Sequence, residues 1–170
     1  QYSVHRTVAI RRAAVKALAR TKGPAATPAL RRALGDSDSQ VRAAAAVGLG
    51  ALKAKDAVAD LFVALDHKVT EAAAAIGQAC DPEQCDALAG KLGTLPFDVV
   101  TSGLEAVLFR PLAEISDDAK LKVLDRLRGL GTNEANGFLK DLEPRLPKHV
   151  SPRVRQALEQ AVNAAMGGTQ

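Results

Sequence analysis

A repeat governs this sequence. Ile10 and Leu18 return 31 residues later as Val41 and Leu49. Ala45 and Leu49 return after 27 residues as Ala72 and Ile76, and after a further 32 as Leu104 and Leu108. A second series keeps the same three spacings through Leu34, Leu65, Leu92 and Leu124. A period in this range marks stacked repeats, because one short unit cannot bury its apolar face alone and its neighbours must cover it. Within the units, apolar residues recur at i, i+3, i+4 and i+7, the period of a helix. Trp is absent, and there are four Phe and one Tyr. A core of Ala and Leu suits close-packed helices, since β-branched and aromatic residues favour strands.

The expected fold is therefore all-α, an α-solenoid of about five stacked antiparallel helix pairs. The pairs are read as 4–20 with 25–34, 38–51 with 56–66, 69–80 with 82–93, 97–109 with 117–130, and 133–143 with 151–166. Each break has its punctuation: Lys22-Gly23-Pro24, Gly35-Asp36-Ser37-Asp38, Gly93-Thr94-Leu95-Pro96, and Gly131-Thr132-Asn133. Pro111 ends the seventh helix, and Ser151-Pro152 opens the last. Gly48 and Gly50 cost roughly 0.5–1 kcal/mol each inside a helix. Their use there points to close packing, expected against the second helix of the same pair. No Gly/Ser linker divides the chain, so a single domain over 1–170 is expected. The first helix starts almost at Gln1 without a polar cap, which leaves open that the chain is the C-terminal part of a longer array.

The string Asp38-Ser39-Gln40-Val41-Arg42-Ala43-Ala44-Ala45-Ala46-Val47-Gly48-Leu49-Gly50, followed by Ala57, Leu61 and Leu65, resembles a HEAT repeat of the short bacterial type. The resemblance implies antiparallel helix pairs in a right-handed superhelix. It implies that Asp38 and Arg42, with Arg11 at the equivalent of Arg42, hold successive repeats together. It also implies a concave face lined by the second helix of each pair, where partners bind. That face would present Arg31, Arg32, Asp60, Glu83, Asp86, Lys120, Lys122 and Arg126. The third unit lacks the Val-Arg pair, the fourth has a longer connection from Arg110 to Ser116, and the fifth is polar, as a terminal cap should be.

Cys80 and Cys85 flank Asp81-Pro82-Glu83-Gln84, which reads as an N-cap, a Pro at the first helical position and a capping box. The two cysteines then stand at the staple positions N′ and N4. A disulfide and a reduced apolar staple both satisfy that geometry. An oxidised pair argues for an extracytoplasmic compartment and a reduced pair for the cytoplasm. His5, His67 and His149 lie in different units and make no ligand-spaced set, so no metal or cofactor is expected. Asp36, Asp38, Asp117 and Asp118 sit at helix starts and read as caps. No apolar run approaches the ~20 residues of a membrane span.

Charge divides the chain. Residues 1–55 hold eleven Lys/Arg and two acids, and residues 56–170 hold twelve and seventeen. The striped charge of the second helices favours a protein partner with a complementary pattern. The function expected is a non-enzymatic scaffold or adaptor. Two alternatives stay open. One is nucleic-acid binding through the basic residues 1–55, although only Tyr2 there could stack on a base. The other is an accessory subunit of an enzyme, since some short HEAT-like proteins resemble phycobilin lyase subunits. The residues contain no nucleophile-and-base arrangement.

Overall fold

The computed structural model describes residues 7–21 and 23–167. Among the described residues ten α-helices follow one another: α1 (Val8–Thr21), α2 (Ala26–Ala33), α3 (Ser39–Ala51), α4 (Val58–Asp66), α5 (Glu71–Ala79), α6 (Pro82–Ala89), α7 (Phe97–Phe109), α8 (Asp117–Leu130), α9 (Asn133–Leu142) and α10 (Pro152–Gly167). Single 3-10 turns precede α4 and follow α9. There is no strand among the described residues, only an isolated bridge between Leu92 and Leu95. The fold is an all-α repeat of stacked helix pairs.

The fourth pair follows the apolar period at both ends. The fifth does so closely. The start expected at residue 4 lies outside the described residues, among which α1 begins at Val8. The expected helix 82–93 stops at Ala89, because Gly90 ends it and Lys91 to Leu95 form a turn with Gly93 at φ 83°. Asp38 and Thr132 cap where the sequence places helix starts, whereas α8 is capped by Ser116, with Asp117 and Asp118 inside its first turn. Asp38, Ser116 and Thr132 each accept the backbone N–H three residues on. Gly131 ends α8 in the left-handed conformation, φ 60°.

The described residues fall into two compact units, one up to Cys80 and one from Asp81. The division lies inside the third helix pair, where no linker composition marks it.

In the first unit α3 is the central helix, packed on α1, α2 and α5. Two neighbouring repeats cover it, so it buries Val41, Ala45, Ala46, Gly48, Leu49 and Gly50. The glycines lie at the seams between repeats. A Cβ on Gly48 would come within 2.9 Å of Ala19 Cβ and 3.1 Å of Leu30 Cδ1. One on Gly50 would stand 2.8 Å from Ala75 Cα and 2.6 Å from Gln78 Oε1. The expectation that they pack against the second helix of their own pair is thus corrected. Gly48 faces the preceding pair and Gly50 faces the following helix, α5.

The first echo also differs from its copy. Ile10 is 40% exposed while Val41 is fully buried. Helix α1 buries Arg11 and Val15 instead. It packs on α2 and α3, whereas α3 has neighbours on two sides. Val15 is covered there while Ile10 is not.

In the second unit α8 packs on α6, α9 and α10, and α6 also on α7. Its core is built from larger side chains: Val100, Leu104, Val107, Leu108, Val123, Leu127, Leu139, Leu142, Val154 and Leu158 are all nearly inaccessible. Phe97 and Phe138 meet edge to face at 6.1 Å between ring centroids.

Candidate interaction surface

The charged residues of the second helices come together in pairs. Arg31, in the last turn of α2, reaches Asp60, in the first turn of α4, with Nε to Oδ2 at 2.5 Å. Asp56 lies 3.8 Å from Arg31 Nη1. Each charge sits at the helix end its sign favours. In the second unit Arg126 on α8 makes a two-pronged contact with Asp86 on α6, both bonds 3.0 Å. The planar guanidinium matches a carboxylate in this way. All four side chains remain more than one-third exposed. Arg32, Glu83 and Lys122 are also exposed, and no ion pair joins them to another described residue.

Lys120 departs from the expected face. It is fully buried, with Nζ donating to the Arg110 carbonyl. Burial pushes its ammonium below the ordinary lysine range, nearby Asp117 offsets part of that, and Arg110 adds to it. Arg110 is itself buried, donates to the Glu114 carbonyl at 3.0 Å, and lies 3.6 Å from the Glu114 carboxylate. This polar cluster closes the long connection between α7 and α8. Asp117 accepts from Ser151 Oγ at 2.7 Å, and Asp118 pairs with Arg153 at 2.8 Å, so both acids tie α8 to α10. Periodicity puts Lys120 on a polar stripe. Only the tertiary path of residues 110–116 turns it inward.

The residues of the HEAT-like string occupy a second cluster. Arg11 grips Asp36 with both prongs, Nε at 2.8 Å and Nη2 at 2.9 Å, joining α1 to the loop before α3. Asp38 caps α3 through the Val41 N–H at 3.0 Å and lies 3.8 Å from Arg12. Arg42 donates through Nη1 to the carbonyls of Asp36 at 2.8 Å and Ser37 at 3.0 Å, within its own entry loop. The acid that takes Arg11 is thus Asp36, which the sequence marks only as a cap. The Arg11 bond holds the Asp36 carboxyl below the usual carboxylate range. Arg12 and Arg31 reach different elements, the start of α3 and α4 respectively.

Cys80 and Cys85 form a disulfide, and both are buried. Asp81 caps α6 with its side chain on the Gln84 N–H at 2.8 Å, and Gln84 returns a bond to the Asp81 N–H at 3.0 Å. This capping box sets the backbone that brings the two sulfurs together. Among the described residues no group of three or more His, Cys, Asp or Glu side chains is placed to hold a metal ion. No helix of the described residues is long and apolar enough to cross a membrane.

Residues 3–71 match the model of the HEAT repeats. No curated protein matches the chain. Several solved structures share the fold, two of them as follows. One is the complex of CpcE and CpcF of phycocyanin lyase from Nostoc sp. PCC7120, 22% identical, TM-score 0.47, covering 92% of this chain and 74% of that one. The other is an engineered protein, 14% identical, TM-score 0.43, covering 98% of this chain and 94% of that one. The matched segment holds the Val-Arg string, its capping Asp38, the Arg11–Asp36 clamp and the seam glycines of α3. Residues 3–71 are therefore similar to HEAT repeats, in agreement with the stacked helix pairs of this segment.

Proposed function

We infer that this protein is a non-catalytic interaction module that engages a protein partner through the faces of its second helices. The observation behind this reading is the alternation of exposed charge along those helices, Arg31 with Asp60 in one unit and Arg126 with Asp86 in the other. Exposed pairs of this kind add little stability, about 0–1 kcal/mol each. What they do is hold charges of both signs in fixed positions, which suits a protein surface of complementary pattern. A polyanion would meet a carboxylate beside every one of these arginines. Arg11 and Arg12 are likewise turned toward Asp36 and Asp38, which withdraws cations from the basic residues 1–55.

The test is affinity capture at low and moderate salt, with and without nuclease, using the wild-type chain and two charge swaps. Arg31→Asp with Asp60→Arg, and Asp86→Arg with Arg126→Asp, keep each internal pair but reverse what a partner meets. A protein retained by the wild type after nuclease treatment and lost by a swap is the expected result. Capture abolished by nuclease would replace this reading with nucleic-acid binding through residues 1–55. An enzyme among the retained proteins would make the chain its accessory subunit.

A further inference from the structure

Arg42 differs from the ion-paired arginines of the first unit, and from exposed Arg20 and Arg32 in being anchored on backbone carbonyls. Arg11, Arg12 and Arg31 each have a carboxylate within 4 Å. Arg42 has none among the described residues; its hydrogen bonds run from Nη1 to the carbonyls of Asp36 and Ser37. Those two bonds fix the guanidinium plane and leave Nε and Nη2 without a protein acceptor among the described residues. A guanidinium already immobilised loses little entropy when it binds, so its remaining prongs are pre-organised for an acceptor.

Arg42 lines a groove of about 520 Å³ inside this unit, with Arg31, Leu34, Asp60, Val63 and His67. Val63 is 56% exposed, an apolar side chain presented to solvent on α4. Leu34 is buried beneath the surface. Asp60 is occupied by Arg31. The groove therefore offers one uncommitted cation, one apolar contact and one ion-paired wall.

We propose that this groove binds a segment of a partner protein that carries an aspartate or glutamate beside a branched apolar side chain. The acid takes the remaining prongs of Arg42, and the apolar side chain covers Val63. The inference rests on the interaction-module reading above and supplies its chemistry. Charge complementarity favours it: residues 1–80 hold twelve Lys/Arg against six acids. A nucleic-acid strand fits less well. Leu34 and His67 lie at the carboxyl ends of α2 and α4, whose partial negative charge admits one carboxylate held by Arg42 but opposes a run of phosphates, as does Asp60.

The experiment uses the full chain and three fluorescent probes: a short peptide with a Glu-Leu-Glu-Val core, the same peptide with Gln for Glu, and a thymidine oligonucleotide. Binding is read by anisotropy, and the site by chemical-shift changes of the Val63 methyls. The acidic peptide should bind about tenfold or more tighter than its Gln version, the scale of one charge-assisted hydrogen bond. Arg42→Gln should abolish that preference. Val63→Asp should weaken both peptides, and it leaves the Arg42 anchoring bonds alone, so it remains informative should Arg42→Gln disturb the loop. Lys16→Gln removes the same formal charge from exposed α1, outside the groove, and should change nothing. Equal binding of the two peptides would overturn the proposal. So would a loss for Lys16→Gln as large as for Arg42→Gln, or an oligonucleotide shifting Val63 more strongly than the peptide. Peptide binding that ignores both Arg42→Gln and Val63→Asp would sink this groove alone. The swap variants above report on the interaction module separately.

Discussion

The two units use one grammar of helix pairs and solve the packing problem in opposite ways. The first draws helices together by deleting side chains. Gly48 and Gly50 on α3 let Leu30, Ala19 and Ala75 approach to distances that a Cβ would forbid. The second fills the space between its helices with larger side chains and places polar groups at its joints, with Lys120 and Arg110 inside and Asp117 and Asp118 strapping α10. The family match covers residues 3–71, almost all of the first unit and none of the second. Close backbone seams need particular small residues at particular repeats, so they leave a periodic trace. Polar joints are built from loop paths, which have no period.

That contrast is breakable by experiment. The largest effect should come from Leu49→Ala, which opens a cavity beside the central helix and should cost roughly 2–5 kcal/mol in denaturant unfolding. An unchanged midpoint would show that α3 is not the core of its unit. Gly50→Ala should follow, at about 1–3 kcal/mol, because its new methyl meets α5 backbone that cannot give way. Gly48→Ala should cost less: its nearest contact, the Ala19 Cβ at 2.9 Å, requires α1 to shift, but no backbone atom is met and the Leu30 side chain can move. Equal losses at the two positions would mean the seams are not set by backbone approach.

The polar joints should respond to pH, in opposite directions at opposite ends of the scale. The Lys120 ammonium is depressed in the folded protein. The unfolded chain therefore binds the extra proton, and folding stability grows as pH rises toward the ordinary lysine value of about 10.4. Wild type should gain on Lys120→Met over that alkaline window, measured by urea unfolding at a series of pH values; parallel curves would place Lys120 in contact with water. The Asp36 carboxyl is depressed by Arg11. Its contribution is complete above its unfolded value of about 3.9 and fades as pH falls through the folded value. Asp36→Asn should therefore trail wild type at neutral pH, with the gap closing in acid. The smallest effect belongs to the exposed pairs: Arg126→Ala should move stability by at most about 1 kcal/mol, less in high salt. A larger loss would make the Arg126–Asp86 contact a joint of the second unit and not a surface for a partner.

Several features were readable because each depends on a few neighbouring residues. The period, the start of α7, the ends of α8 and the caps at Asp38 and Thr132 follow from apolar spacing and short-range hydrogen bonding. The Cys80–Cys85 staple belongs with them, since six consecutive residues and one capping box determine its geometry. The early stop of α6 was harder, because Gly90 and the turn after it outweigh an apolar pattern that runs on to Leu92. The candidate interaction residues were readable as charges on second helices, but not as Arg31 with Asp60 and Asp86 with Arg126, partners 29 and 40 residues apart.

By itself, then, the sequence determined which segments are helical, how they repeat and which small residues sit on the central helix, for those outcomes are settled by local propensity and periodic burial. Only the tertiary structure decided that Ile10 is left exposed on α1, that Lys120 turns inward, that Arg42 folds back on the carbonyls of its entry loop, and that the chain parts into two units at Cys80. Each of these depends on which distant surface happens to cover a side chain, and burial by a distant neighbour is a property of packed elements, which no spacing along the chain encodes.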